Sequence, residues 1–195
     1  MTVPPDITAY FQAVAPHATN ELMLYERIAS TLRNLRYEDA ASRKSTAVAL
    51  LGIQAQIGSL ATTVMSVRSP VRLADAHEAR LRAIKQMAAA TGAVANALTG
   101  DAAARTKRIE TARQEAVAAE GSTRSGASSI TAALGGAAAA VATIPVVGQL
   151  IAAVLMLIAA IIVLIGQILS QSKEEDAAKK ENKPEPKRKD DDDRP

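Results

Sequence analysis

The chain has no cysteine and no tryptophan, and only one phenylalanine and three tyrosines among its 195 residues. Without thiols there are no disulfides and no thiolate metal sites, although the compartment stays open. With so few aromatic rings, a core has to be built from Leu, Ile, Val and Ala, which bury modest area per residue. Long helices packed along a narrow seam suit that composition better than a globular core does. Histidine is almost as scarce. His17 and His77 are the only two, and Glu78 beside His77 makes no metal motif, since no ligand pair at i, i+3 or i+4 accompanies it. No Gly-rich phosphate loop is present, and no serine or threonine has a base partner suggested by the sequence. The chain is therefore read as a non-enzyme with no cofactor, no metal and no small-molecule substrate. The start, MTVPPDITAYFQ, lacks the basic and apolar regions of a secretory signal. Synthesis in the cytosol is expected, with signal-free routes left as the way out of the cell.

Charge is absent where it matters most. Between Arg124 and Lys173 the 48 residues Ser125 to Ser172 contain no Asp, Glu, Lys, Arg or His, in a chain that is 22% charged. The second half of this run, Ile144 to Leu169, is 26 residues long with Gln149 and Gln167 as its only polar side chains. About 20 such residues span a bilayer core. Outside the run, residues 1–124 carry 15 Lys/Arg against 11 Asp/Glu, and the end from Lys173 carries 8 against 9. No stacking aromatics and no nucleic-acid motif accompany that slight excess, so no nucleic-acid partner is expected.

The N-terminal 120 residues read as helices. Asp6 is a candidate N-cap for a short helix from Ile7 to Val14, which Pro16 interrupts. A second helix from Thr19 or Asn20 to about Tyr37 places Leu24, Ile28, Leu32 and Leu35 on one face. The sharpest periodicity follows. Leu50, Ile53, Ile57, Leu60, Val64 and Val67 step by 3, 4, 3, 4 and 3, a coiled-coil-like seam that Ser69-Pro70 ends. These six residues are candidates for a homo-oligomerisation seam; the helices on either side of Pro70 are the alternative cover within one chain. After Pro70 the spacing resumes with Leu81, Ile84, Ala88, Thr91, Ala95 and Leu98, and the register continues past Gly100-Asp101 with only Arg105 breaking it. One helix of about 50 residues is favoured there over a cap at Gly100. Residues 121–126 (GSTRSG) read as a linker. Residues 171–195, charged and nearly free of apolar side chains, read as a disordered tail after about one helical turn.

The uncharged run itself, residues 127–170, is expected to form a transmembrane hairpin, with Pro145 and Gly148 at the turn. Side chains entering lipid would be Ile130, Leu134, Val141 and Ile144 in the weaker, Ala-rich first arm. The second arm would contribute Val146, Val147, Leu150, Ile151, Val154, Leu155, Met156, Leu157, Ile158, Ile161, Ile162, Val163, Leu164, Ile165, Ile168 and Leu169. Small residues recur where arms would touch, at Ala132, Gly136 and Ala140, and at Ala152, Ala159 and Gly166. Basic flanks on both sides fit a hairpin whose ends share one face of the membrane. A single span from about Val146 to Leu169, or a pair buried in a soluble bundle, accounts for the same residues.

The fold class that follows is all-α: an elongated, coiled-coil-like bundle over 1–120 carrying a C-terminal hydrophobic hairpin. The seam Leu50 to Val67, the long helix after Pro70 and the charge-free run Ser125 to Ser172 together resemble, in architecture, the helical pore-forming toxins of the cytolysin A and multi-component enterotoxin class. That resemblance implies a rod of long helices, a hydrophobic head shielded in water, and assembly into a membrane-crossing ring. The terminal apolar segment with its charged tail is also similar to phage holins. The expected partners are a lipid bilayer and further copies of the chain, with or without a companion subunit, and the expected location is membrane-associated. An anchored scaffold whose helical body binds partners or self-assembles is the alternative.

Overall fold

A computed structural model describes residues 4–134 and 145–181, which are helical nearly throughout and contain no strand. Five helices follow one another: α1 (Pro5–Arg33), α2 (Ala40–Met65), α3 (Ala74–Thr99), α4 (Ala102–Ala133) and α5 (Pro145–Glu181), with one 3-10 turn (Val71–Leu73) before α3. Consecutive helices are neighbours, and α5 packs back on α1, so the five close into a ring. The side-chain contacts give their directions. Tyr10 meets His77 and Tyr37 meets Glu175, so α1, α3 and α5 run one way. Thr106 meets Ser172, so α4 runs against α5.

Local chemistry sets most of the boundaries. The Asp39 carboxylate caps α2 by accepting the Ala41 N–H at 2.9 Å, satisfying one of the orphan donors of the first turn. Pro70 forces the chain out of helix after α2. Two boundaries differ from what the residues suggest locally. α1 begins after Pro4, with Asp6 inside its first turn rather than at the cap, and it runs unbroken through Pro16 to Arg33. Pro16 removes one hydrogen bond, but Phe11 and Val14 before it and Ala18 and Leu24 after it are buried on the same side. Burial on both flanks outweighs the loss.

The single long helix after Pro70 does not form. α3 ends at Thr99, Gly100 takes an extended conformation (φ −82°, ψ 179°), and α4 starts at Ala102 and folds back along α3. The reversal is tight enough that a Cβ on Gly100 would lie 2.6 Å from the Asn96 carbonyl oxygen and would overlap the Arg108 guanidinium. Folding back lets the alanine faces of the two helices meet, Ala90, Ala95 and Ala97 on one side and Ala112, Ala116 and Ala119 on the other, all buried. A straight 50-residue helix would leave both faces in water. Residues 121–126 are not a linker either; they lie inside α4, where a Cβ added to Gly126 would sit 3.5 Å from the Ala76 carbonyl oxygen and the Ala79 Cβ.

The main core draws on all five helices. The seam residues Leu50, Ile53, Ile57, Leu60 and Val64 are buried in it, and Val67 packs half-buried against a second cluster of Ile7, Tyr10, Phe11, Val14, Leu73 and Leu134. Since α1 and α3 flank α2, the seam is covered within one chain and is not an open oligomer surface here. Ile57→Ala should cost about 2–5 kcal/mol, and Ile57→Asp should unfold the bundle outright; urea denaturation followed by circular dichroism at 222 nm measures both. Gly100→Ala should cost about 1–3 kcal/mol, since the Asn96 backbone cannot yield as a side chain can.

Candidate membrane-insertion helix and its docking site

Pro145 starts α5 at a position where no N–H is needed. From there to Ser172 no charge interrupts the run of Leu, Ile, Val and Ala. The helix has 37 residues, about 55 Å at 1.5 Å per residue. Among the described residues, two helices are long and apolar enough to cross a membrane: Val147–Lys179, whose most apolar 18 residues have a mean hydropathy of 2.9, and Ala40–Met65, whose most apolar 18 residues have 1.5. Pro145 and Gly148 both belong to the first turn of α5, so neither forms a hairpin turn. The first arm is different from the expected one. Residues 127–133 finish α4, while Val141 and Ile144 lie outside the described residues, as do the 14 residues after Glu181. The charged segment from Lys173 to Glu181 continues α5 as helix instead of beginning a disordered tail.

α5 is docked on the bundle by a stripe of its own. Val154, Ile158, Ile161, Ile165, Ile168 and Ser172 are all buried and step by 4, 3, 4, 3 and 4, the same alternation as in α2. Leu169 is buried beside them. Val147, Leu150, Ile151, Leu155, Leu157, Ile162 and Leu164 are half-buried at the edges of the stripe. The opposite face is open. Met156 is 70% exposed and Val163 60%, and Ala152 and Ala159 are exposed with them. The small residues that would have marked a contact between two arms therefore sit off the docked face. In the first-arm positions Ile130 is half-buried and Leu134 buried, both against the α1 end of the bundle.

Among the described residues, the polar groups that hold α5 on the bundle lie near its C-terminal end. The Arg105 guanidinium, buried at the start of α4, donates to the Glu175 carboxylate at 2.9 Å and to the Ala97 carbonyl at 3.3 Å. The Tyr37 hydroxyl donates to the same Glu175 oxygen at 3.4 Å. The Thr106 hydroxyl donates to Asp176 at 2.6 Å and lies 2.6 Å from the buried Ser172 hydroxyl. Arg105 is the residue that interrupts the α3–α4 register, and the clasp is why a charge is tolerated there. Its partners lie about 70 residues away in sequence, beyond the reach of any local pattern.

At the other end of α5 the contacts are apolar and loosely filled. A partly open cavity of about 100 Å³ lies between α1, α3, α4 and α5. Alanines at 15, 18, 76, 83 and 127 and Gly126 face it, and Val147, Leu150, Ile151 and Val154 of α5 close it. Its wall carries one ion pair. Arg80 donates through Nε at 3.3 Å and Nη2 at 3.0 Å to one oxygen of Glu21, with side-chain exposures of 19% and 4%. Burial pushes the Glu21 carboxyl above its ordinary 4.5, against the pull of Arg80. The Tyr25 hydroxyl, buried one turn further along, finds no partner of good geometry. Burial and the Glu21 charge push it well above 10.0, and an unsatisfied buried group of this kind costs about 1–3 kcal/mol. Nearby, the Tyr10 hydroxyl meets His77 Nδ1 at 3.0 Å, and burial, then Arg80, lowers the His77 pKa.

Glu21 does carry a local signal. Val14, Ala18, Glu21, Tyr25, Ile28 and Leu32 alternate by 4 and 3, so the carboxylate occupies a seam position, and all six residues are buried. A carboxyl whose folded-state pKa is raised binds its proton more readily in the folded chain. Its contribution to stability therefore grows as pH falls from neutral through the folded value toward 4.5, then levels off. In Glu21→Gln that rise should be missing; urea midpoints of both proteins at pH 7 and pH 5 measure the difference.

No protein-family model, curated protein or solved structure matches this chain.

Proposed function

We propose that the protein keeps α5 docked on its own bundle in water and inserts it into a lipid bilayer, permeabilising or remodelling the membrane. The observation that carries this reading is the uneven cover of α5. The most apolar helix among the described residues is buried on one stripe, with 28% of its apolar window covered and Met156 and Val163 open to water. Transfer to lipid would bury those side chains at roughly 1.5–3 kcal/mol for each one fully covered. The helix satisfies its own backbone, so crossing a bilayer leaves no polar backbone group unpaired. The clasp at Arg105, Thr106 and Glu175 opposes release and belongs to the water-facing end.

α5 alone is the inserting element in this reading. α4 carries Lys107, Arg108, Glu110, Arg113, Glu115, Glu120 and Arg124, which rules it out as a lipid-facing arm. Once α5 leaves, the faces of α1 and α4 that it covers become free, and pairing of those faces between copies, or with a companion subunit, would give an oligomer like that of the helical toxins. An inserting element of one helix also favours a second reading, in which α5 is a permanent anchor and α1–α4 form a partner-binding body.

Dye release from liposomes separates the two. Met156 is exposed in the docked bundle and lies near the middle of the apolar stretch, so Met156→Arg leaves the fold intact. It costs insertion about 2.5–3.5 kcal/mol on the translocon scale. The wild type should release dye, and the variant should release on the order of a hundredfold less. Glu175→Gln, which loosens the clasp, should release more than the wild type. Stable vesicle binding without leakage at any concentration would reject permeabilisation in favour of the anchor. Undiminished leakage by Met156→Arg would remove α5 from the process.

A further inference from the structure

We propose that the cavity between α1, α3, α4 and α5 is a binding site for a short apolar chain, the tail of a single-chain amphiphile. Its chemistry restricts the occupant. Apart from Glu21, Arg80, Thr123 and the Tyr10 hydroxyl, which bonds His77, the lining is apolar, and the two charges there already neutralise each other at 3.0 Å. The cavity is partly open to solvent, and water over its apolar wall finds few partners, so an apolar guest gains by displacing it. At about 100 Å³ the space is smaller than the ~150 Å³ that takes benzene in an engineered cavity and far below the ~300 Å³ at which ordinary ligand pockets begin. A nucleotide or a sugar is excluded; an unbranched chain of a few carbons fits.

Two features make this a built site. The alanines facing it come from three different helices, at positions where a larger side chain would close the gap. Arg80 also lies at the more solvent-exposed end of its ion pair, while Glu21 is almost wholly covered. Two of the guanidinium N–H groups bond Glu21, out of five available to an arginine. An amphiphile can thus lie with its tail inside and its polar head beside Arg80. Because α5 forms one wall, an occupant binds only the docked bundle and stabilises it. The site itself stands whether or not α5 later enters a membrane.

The test uses the full chain and a series of straight-chain alkanols, from ethanol to decanol, with thermal unfolding followed by circular dichroism and calorimetry for stoichiometry. One saturable site per chain is expected, tightest at an intermediate chain length, with a midpoint rise of about 5–10 °C at a hundredfold excess over Kd. Ala127→Leu and Ala15→Leu place bulk in the cavity from α4 and from α1, and either one, if folded, should abolish the rise. A lysolipid that competes with the best alkanol identifies a membrane acyl chain as the source; failure to compete identifies a free short-chain amphiphile. The proposal is overturned if no alkanol saturates, or if the midpoint shifts equally in the wild type and the filled variants, as a general solvent effect would.

Discussion

The apolar stripe Val154, Ile158, Ile161, Ile165 and Ile168 has to be kept from water, and the placement of the other helices follows from how it is covered. Two helices are needed to flank it, and α1 and α4 supply them. α4 reaches α5 by continuing the chain; α1 reaches it because the ring closes. Closure then brings Tyr37 and Arg105 to the C-terminal turns of α5, where Glu175, Asp176 and Ser172 face them. It also leaves the opposite end of α5 lying over small residues, and the cavity opens there. A polar clasp at one end and a void at the other are consequences of the same packing.

The docked state carries features that a bundle selected for stability alone would lack. The ion pair Glu21–Arg80 is largely removed from water, and such pairs seldom repay their desolvation against apolar residues of similar size. Tyr25 holds an unsatisfied hydroxyl beside it, and the cavity forfeits contacts on the same side of the bundle. All three lie along the buried face of α1, and the ion pair and cavity adjoin α5. The free energy holding that part of α5 is thereby reduced, while the clasp keeps its far end fixed. The proposed transfer of α5 to lipid would need a docked state of moderate depth, and these features lower it.

Periodicity was informative where a helix packs by its own repeat. The α2 seam is legible because five of its six apolar residues are buried at the spacing they show in the sequence, with Val67 half-buried at its end. The same rule misleads at Gly100, where the register runs on across a reversal: antiparallel alanine faces obey the spacing as well as a continuous helix would. Pro16 and the glycines at 121 and 126 read as breaks because their local cost is real, yet burial on both sides outweighs it. The oligomer reading of the α2 seam has a similar origin. A repeat specifies that a face must be covered and does not say by which chain.

The sequence by itself determined that the molecule is helical, that its core is built without large aromatics, and that one segment free of charge is apolar enough to cross a membrane. Those properties depend on neighbours along the chain: spacing, propensity and the absence of ionisable groups. Only the tertiary structure decided that α5 lies against α1 and α4, which of its faces stays open, and that Arg105 and Glu21 are paired and buried. Those facts depend on residues 59 and 70 positions apart meeting in space. The energy of such a meeting is set by burial and geometry, which no local pattern records.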